Sequence, residues 1–122
     1  MSGLLAWPLI GVVGAAAAVL RVAVDTVVER RSSERLPVGT LVVNLSGTFA
    51  LGLLEGAGAV GTLLLVVGTA GIGTYTTFST VIYETERLLE EGDRLAAAAN
   101  ILASFGLGLL AVAAGWLLGR SL

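Results

Sequence analysis

Gly68-Thr69-Ala70-Gly71-Ile72-Gly73-Thr74-Tyr75-Thr76-Thr77-Phe78-Ser79-Thr80 lies inside the longest uncharged run of the chain, Gly56 to Tyr83. That run exceeds the roughly 20 apolar residues that carry a straight helix across a hydrocarbon core about 30 Å thick. Glycines at 68, 71 and 73, followed by β-branched threonines, make poor continuous helix. The stretch therefore reads as a membrane span broken near Gly71 to Thr77. Unwound backbone at membrane depth must be buried in protein or face water, because lipid cannot satisfy freed amide and carbonyl groups. Such breaks mark ion or substrate sites in many membrane proteins. Glycines alone would serve equally well to let helices pack closely, as small-xxx-small patterns do. The dense hydroxyl cluster beside them is what favours a functional reading.

Working outward, the charges leave three more uncharged runs, Leu4 to Leu20, Leu36 to Leu54 and Leu95 to Gly119. Each is close to or above spanning length, so the chain reads as an all-α membrane protein of four transmembrane helices, at about 4–30, 37–55, 60–86 and 95–119. The 122 residues are 56% hydrophobic and only 13% charged, with mean hydropathy +0.94. A soluble domain carries about a quarter charged residues, and this surface could not face water. Residues 1–122 have room for a single domain. The first run has neither a basic leading segment nor a clear small-residue cleavage site, so it reads as a retained helix rather than a signal peptide. Its continuation puts Arg21 and Asp25 four residues apart on one face, where a deep arginine can find a partner. Pro37 supports the start of the second helix, and Gly92-Asp93 makes the turn between the third and fourth.

The absence of cysteine and histidine excludes disulfide scaffolds, thiol catalysis, haem, imidazole-zinc sites and histidine proton relays. A net charge of −2 and a pI near 4.9 leave no basic stripe for nucleic acid. The spans hold no nucleophile paired with a base, so an enzyme is not expected. Their polar residues are few. Asn44 lies in the second helix, and Asn100 and Ser104 share one face of the fourth. Each could be interhelical glue worth roughly 1 kcal/mol. Together with the threonines, however, they form a set of hydrogen-bond donors with no carboxylate in the middle of any span. Donors without acids suit an anion better than a cation or a proton.

Two segments carry a resemblance: Pro37-Val38-Gly39-Thr40-Leu41-Val42-Val43-Asn44 with Gly47, and Gly71-Ile72-Gly73 running into Thr76-Thr77-Phe78-Ser79-Thr80 with Glu84. They resemble the two signature segments of the Fluc (CrcB) family of fluoride channels. Val13-Gly14 and Ala17-Ala18 before Arg21 are similar to that family's first helix, and Ser104 and Gly108 to its fourth. The resemblance implies an antiparallel, dual-topology dimer in a prokaryotic plasma membrane, with two fluoride pores between the subunits. It also implies a structural sodium ion at the dimer centre that is not transported. Backbone carbonyls at the helix break would hold it, by motif position those of Gly73 and Thr76 from each of two subunits. The fluoride pathway would use Asn44, Phe78, Ser79, Thr80 and Ser104, with Arg21, Thr77, Glu84 and Asn100 in support. Fluoride is small and strongly hydrated, so a filter must replace lost water with fixed donors of comparable field. The ring edge of Phe78 carries partial positive charge, and the family lines the anion's route with such edges. Two positions depart from the family pattern: Val81 stands where a second phenylalanine is usual, and Asn100 where a tyrosine is usual. Each pore of a homodimer would lack the same groups.

Other function classes compete. A small proton-coupled multidrug exporter also has four helices, but by resemblance such exporters need a glutamate within the first helix, and Leu4 to Leu20 contains no acid. A non-conducting membrane assembly subunit would fit the altered aromatic positions. Arg30, Arg31, Arg35, Arg87 and Arg94 fall in the first and third connections, against Arg120 alone on the other side. Under the positive-inside rule these connections should be cytoplasmic and both termini outside. So strong a bias opposes free insertion in both orientations, which raises a heterodimer with a homologous, oppositely oriented chain beside the homodimer.

Overall fold

A computed structural model describes residues 3–32 and 37–122. Helix α1 covers Gly3–Arg31 and α2 covers Val38–Gly56, with Pro37 immediately before it. The third span opens with the single turn α3, Gly61–Leu63. It widens into a π-helical stretch, Leu64–Ile72, and returns to one α-turn, α4, Gly73–Tyr75. Residues 76–78 are not helical. Helix α5, Ser79–Glu90, completes the span, and α6 runs over Arg94–Arg120. Among the described residues, four segments are long and apolar enough to cross a bilayer: Leu4–Arg31, Val38–Gly56, Gly61–Glu90 and Arg94–Arg120. The chain is a four-span, all-α bundle whose third span is bent.

The interruption sits at Thr76, Thr77 and Phe78, at the late edge of the stretch the sequence indicated. Gly68 and Gly71 remain helical because they serve packing. A Cβ on Gly71 would press on Val13 of α1 at 3.2 Å, and one on Gly68 on Leu64 at 3.2 Å. Gly71 thus admits α1 against the third span and Gly68 leaves room beside Leu51 and Leu54 of α2, while the threonines leave the helix.

Helices α2 and α6 form the most extensive pair, and the reason is visible in their sequences. Gly52 and Gly56 on α2, and Gly115 and Gly119 on α6, repeat every four residues and lie on one face of each helix. Side chains on Gly52 or Gly56 would strike the backbone of Val112 or Trp116, and side chains on Gly115 or Gly119 the backbone of Phe49 or Leu53. Small-xxx-small faces let backbones approach this closely where apolar lipid gives helices no solvent-driven reason to associate. The connection between α2 and α3 is tight, with Gly58 and Gly61 at φ +87 and +65, a region that side chains avoid. At the opposite end Gly92 turns with φ +82, and Asp93 Oδ1 accepts the Ala96 N–H at 3.0 Å, capping α6.

The buried interior is small: Val43, Val66, Ala70, Val81, Leu88 and Ala97 are its main apolar members. Leu4, Trp7, Val12, Val19, Leu102, Leu109, Leu110 and Leu117 point outward instead. Acyl chains satisfy such a surface and water does not. Ser33, Glu34 and Leu36 lie outside the described residues, as does Arg35, one of the charges in the orientation argument.

Candidate functional site at the third-helix break

Asn44 organises the break from α2. Its Nδ2 donates to the Thr77 carbonyl at 2.8 Å, and its Oδ1 accepts the Thr77 N–H at 2.7 Å. In an uninterrupted helix the Thr77 N–H would return to the carbonyl of Gly73. Asn44 takes it, so Gly73 loses that partner. The next step repeats the device: the Thr80 N–H, which would return to Thr76, goes to Thr77 Oγ1 at 3.3 Å. Thr77 Oγ1 also donates to Thr80 Oγ1 at 3.0 Å, leaving the Thr80 hydroxyl hydrogen available. The carbonyls of Gly73 and Thr76 are therefore both released from the ladder. Thr76 is anchored by its other groups, since its N–H and its hydroxyl both reach the Ile72 carbonyl, at 2.9 and 3.0 Å. Its methyl packs on Gly47, where no Cβ could fit.

Three cavities meet this break. The first, about 330 Å³, is lined by Asn44, Thr76, Thr77, Phe78, Val81 and Ser104, with Thr48, Phe105, Gly108, Leu109 and Val112. Four predicted residues of the fluoride path or its support (Asn44, Thr77, Phe78, Ser104) come together here, and among the described residues no carboxylate lines it. Three of its hydroxyls are already engaged, as Thr76 donates to the Ile72 carbonyl, Thr48 to the Asn44 carbonyl and Thr77 to Thr80 Oγ1. The free donors are one amide hydrogen of Asn44 and the hydroxyl of Ser104, whose Oγ is buried without a hydrogen-bond partner. The second cavity, about 140 Å³, brings Arg21 and Asp25 of α1 against Thr40, Thr77 and Thr80. The hydroxyl cluster thus faces an acid-free space on one side and a mixed-charge space on the other. Asp25, which the sequence places four residues after Arg21 on the same helix, lines this second space. The third, about 370 Å³, has Gly73 and Thr76 on its wall with Thr48, Thr69 and Glu55.

The remaining candidates stand apart. Ser79 is exposed and lies outside these three cavities. Glu84 neighbours the Thr40 hydroxyl, and its Oε1 has no hydrogen-bond partner. Asp25 Oδ1 is likewise buried without one, so the arginine four residues earlier does not satisfy it. Nearby, the Gly39 N–H donates to Glu29 Oε1 at 2.7 Å, tying α2 to α1. Asn100 is buried and donates to Thr85 Oγ1 at 2.9 Å. It links α6 to α5 and does not line the first cavity. Sequence spacing could not have revealed the Asn44–Thr77 pairing, which joins residues 33 apart.

The family model for CrcB-like protein, Camphor Resistance (CrcB), matches residues 8–116. The chain belongs to the CrcB family. It is 47% identical over 108 residues to the fluoride-specific ion channel FluC 2 of Mycolicibacterium paratuberculosis, covering 88% of each chain. It is 42% identical to FluC 1 of Symbiobacterium thermophilum, with 94% of this chain and 98% of that one covered. Against FluC 2 of Haloarcula marismortui it is 40% identical, covering 88% of each. These CrcB relatives are ion channels rather than enzymes. With four apolar spans, CrcB membership makes this a multi-pass plasma-membrane protein.

Proposed function

We propose that this CrcB chain forms a fluoride-selective passive channel that lowers cytoplasmic fluoride and so relieves its toxicity. The observation that carries the reading is the acid-free cavity beside the break, where the unpartnered Ser104 hydroxyl, a spare Asn44 amide hydrogen and the exposed Phe78 ring converge. A dehydrated fluoride needs several fixed donors at once, and the positive ring edge supplies a further contact without adding a mobile proton. The names of its relatives support the same ion.

The reading includes a structural sodium ion. Hard cations favour oxygen ligands, and the two carbonyls released at Gly73 and Thr76 suit one. With the same pair from a partner they would make four. Once bound, such an ion supplies a fixed positive charge at the subunit boundary. Asn44 and Thr77 keep the carbonyls free for it by occupying the N–H groups that would otherwise cover them. The partner is a second copy or a homologous chain in the opposite orientation.

Vesicles loaded with sodium fluoride or sodium chloride test the proposal. Those containing the protein, together with its partner if one is needed, should release fluoride and retain chloride. Equal release of both ions, or of neither, would count against it. The second outcome is what a non-conducting assembly subunit would give.

A further inference from the structure

We propose that Phe105 of α6 is a second aromatic contact on the anion path, supplying beside Phe78 a ring edge that the permeating ion touches and that favours fluoride over chloride. The inference rests on the fluoride-channel reading above. Phe78 and Phe105 are 27 positions apart in the sequence, yet their ring centroids lie 5.8 Å apart with planes tilted by 58°. Tilted pairs at this distance direct the positive edge of one ring toward the negative face of the other. Both rings line the acid-free cavity, and they remain 60% and 51% exposed. Neither is consumed by the protomer's own interior. Phe105 directly follows Ser104, whose buried Oγ lacks a partner in that cavity. An anion handed from the Phe78 edge to the Ser104 hydroxyl therefore passes the adjoining ring.

Val81 does not compete for the role. It lines the same cavity but is only 3% exposed, and its methyl groups have no quadrupole. The aromatic edge that α5 does not provide three residues after Phe78 is provided by α6. The arrangement has a purpose in a space with so few donors. Fluoride holds its water more tightly than chloride, so each added positive edge offsets a larger desolvation cost for fluoride while rings on two sides narrow the passage.

The test uses the full chain, with its partner if needed, in vesicles loaded with sodium fluoride or sodium chloride. Phe105→Ile and Phe105→Met keep apolar bulk without a ring, and Phe105→Tyr keeps the ring. The ringless variants should release fluoride at least tenfold more slowly and lose fluoride-over-chloride preference, with Phe105→Tyr within threefold of wild type. Their elution as an assembled species would match wild type. Ringless variants that match wild-type flux and selectivity would overturn the role of Phe105 while leaving the channel intact. Equal slowing by all three variants would also overturn it, because side-chain packing rather than the ring edge would then be at stake. If Phe105→Ile fails to assemble, Phe105→Met decides alone. Wild-type vesicles that release no fluoride would instead overturn the channel reading, and this inference with it.

Discussion

Asn44 holds both backbone polar groups of Thr77, and the break in the third span depends on those two hydrogen bonds. In Asn44→Ala the half-buried Thr77 carbonyl is left without its partner, at a cost of up to about 1–3 kcal/mol, the figure for a fully buried group. The Thr77 N–H can then return to Gly73, which covers one of the two carbonyls proposed to hold sodium. The variant should melt at lower temperature in detergent and lose any stabilisation that sodium confers on the wild-type protein. Unchanged sodium-dependent stabilisation would show that the clamp does not prepare the site. Thr76 and Gly73 give a complementary pair. Thr76→Ser keeps the hydroxyl and the carbonyl and removes only the methyl that rests on Gly47, so sodium-dependent stability should change little. A Cβ on Gly73 meets only the Gly68 carbonyl at 3.8 Å within the protomer. Damage in Gly73→Val would therefore arise at the ion or at the partner, and it should appear as loss of sodium-dependent dimer, read by elution with and without sodium. The reverse ranking would argue against carbonyl ligation.

At the scale of elements, the pairing of α2 with α6 is the frame that carries both Asn44 and the Ser104–Phe105 wall. Its closeness depends on Gly52, Gly56, Gly115 and Gly119, each lying against backbone of the facing helix. A side chain there cannot be absorbed by a rotamer change, since backbone is what it meets. Gly115→Val should push the helices apart at an overpacking cost of about 1–3 kcal/mol, seen as a lower melting temperature and slower fluoride release together. Gly106→Ala, where nothing lies within 4 Å in the protomer, is the matched control and should leave melting near wild type. The third span behaves differently because it is made of pieces. Its π-helical and α-helical segments pack on α1 and α2, while α5 is joined to α6 through Asn100 and Thr85. The break lies between these two attachments, so each half follows its own neighbours.

At the scale of the whole molecule, alternate crossing places the start of α1, the α2–α3 connection and the end of α6 on one face of the membrane. The connections after α1 and α5 lie on the other. Arg30, Arg31, Arg87 and Arg94 belong to that second face, with Arg35 adding to the count outside the described residues, whereas Arg120 alone is at the first. Short-loop arginines face the cytoplasm, so a C-terminal topology reporter on the chain expressed alone should report from outside the cell. Equal reporting from both sides, together with fluoride transport by the lone chain, would show a self-sufficient dual-topology homodimer. The outward apolar surface is compatible with either assembly, since α1 and α6 are largely uncovered in the protomer.

Much of this was written locally. Four uncharged runs of spanning length specify four helices, because each span must hide its own backbone polar groups and can do so without reference to any neighbour. Gly68 to Thr80 announced an interruption for the same local reason, and the Gly92-Asp93 turn was equally plain. What one dimension could not hold was the division of labour within that stretch. Gly71 is helical and makes room for Val13 of a distant helix, and the chain opens at Thr76–Phe78, where Asn44 captures Thr77. Asn100, which stands where an aromatic was expected, became a tie to Thr85, and Phe105, which carried no local signal, came to rest against Phe78. Nothing local says that Gly52 and Gly56 face Gly115 and Gly119 across the α2–α6 pair. A helix is decided by hydrogen bonds within four residues along the chain, whereas a cavity wall depends on which helix faces which. That choice is made by close packing between segments, and no local pattern encodes it.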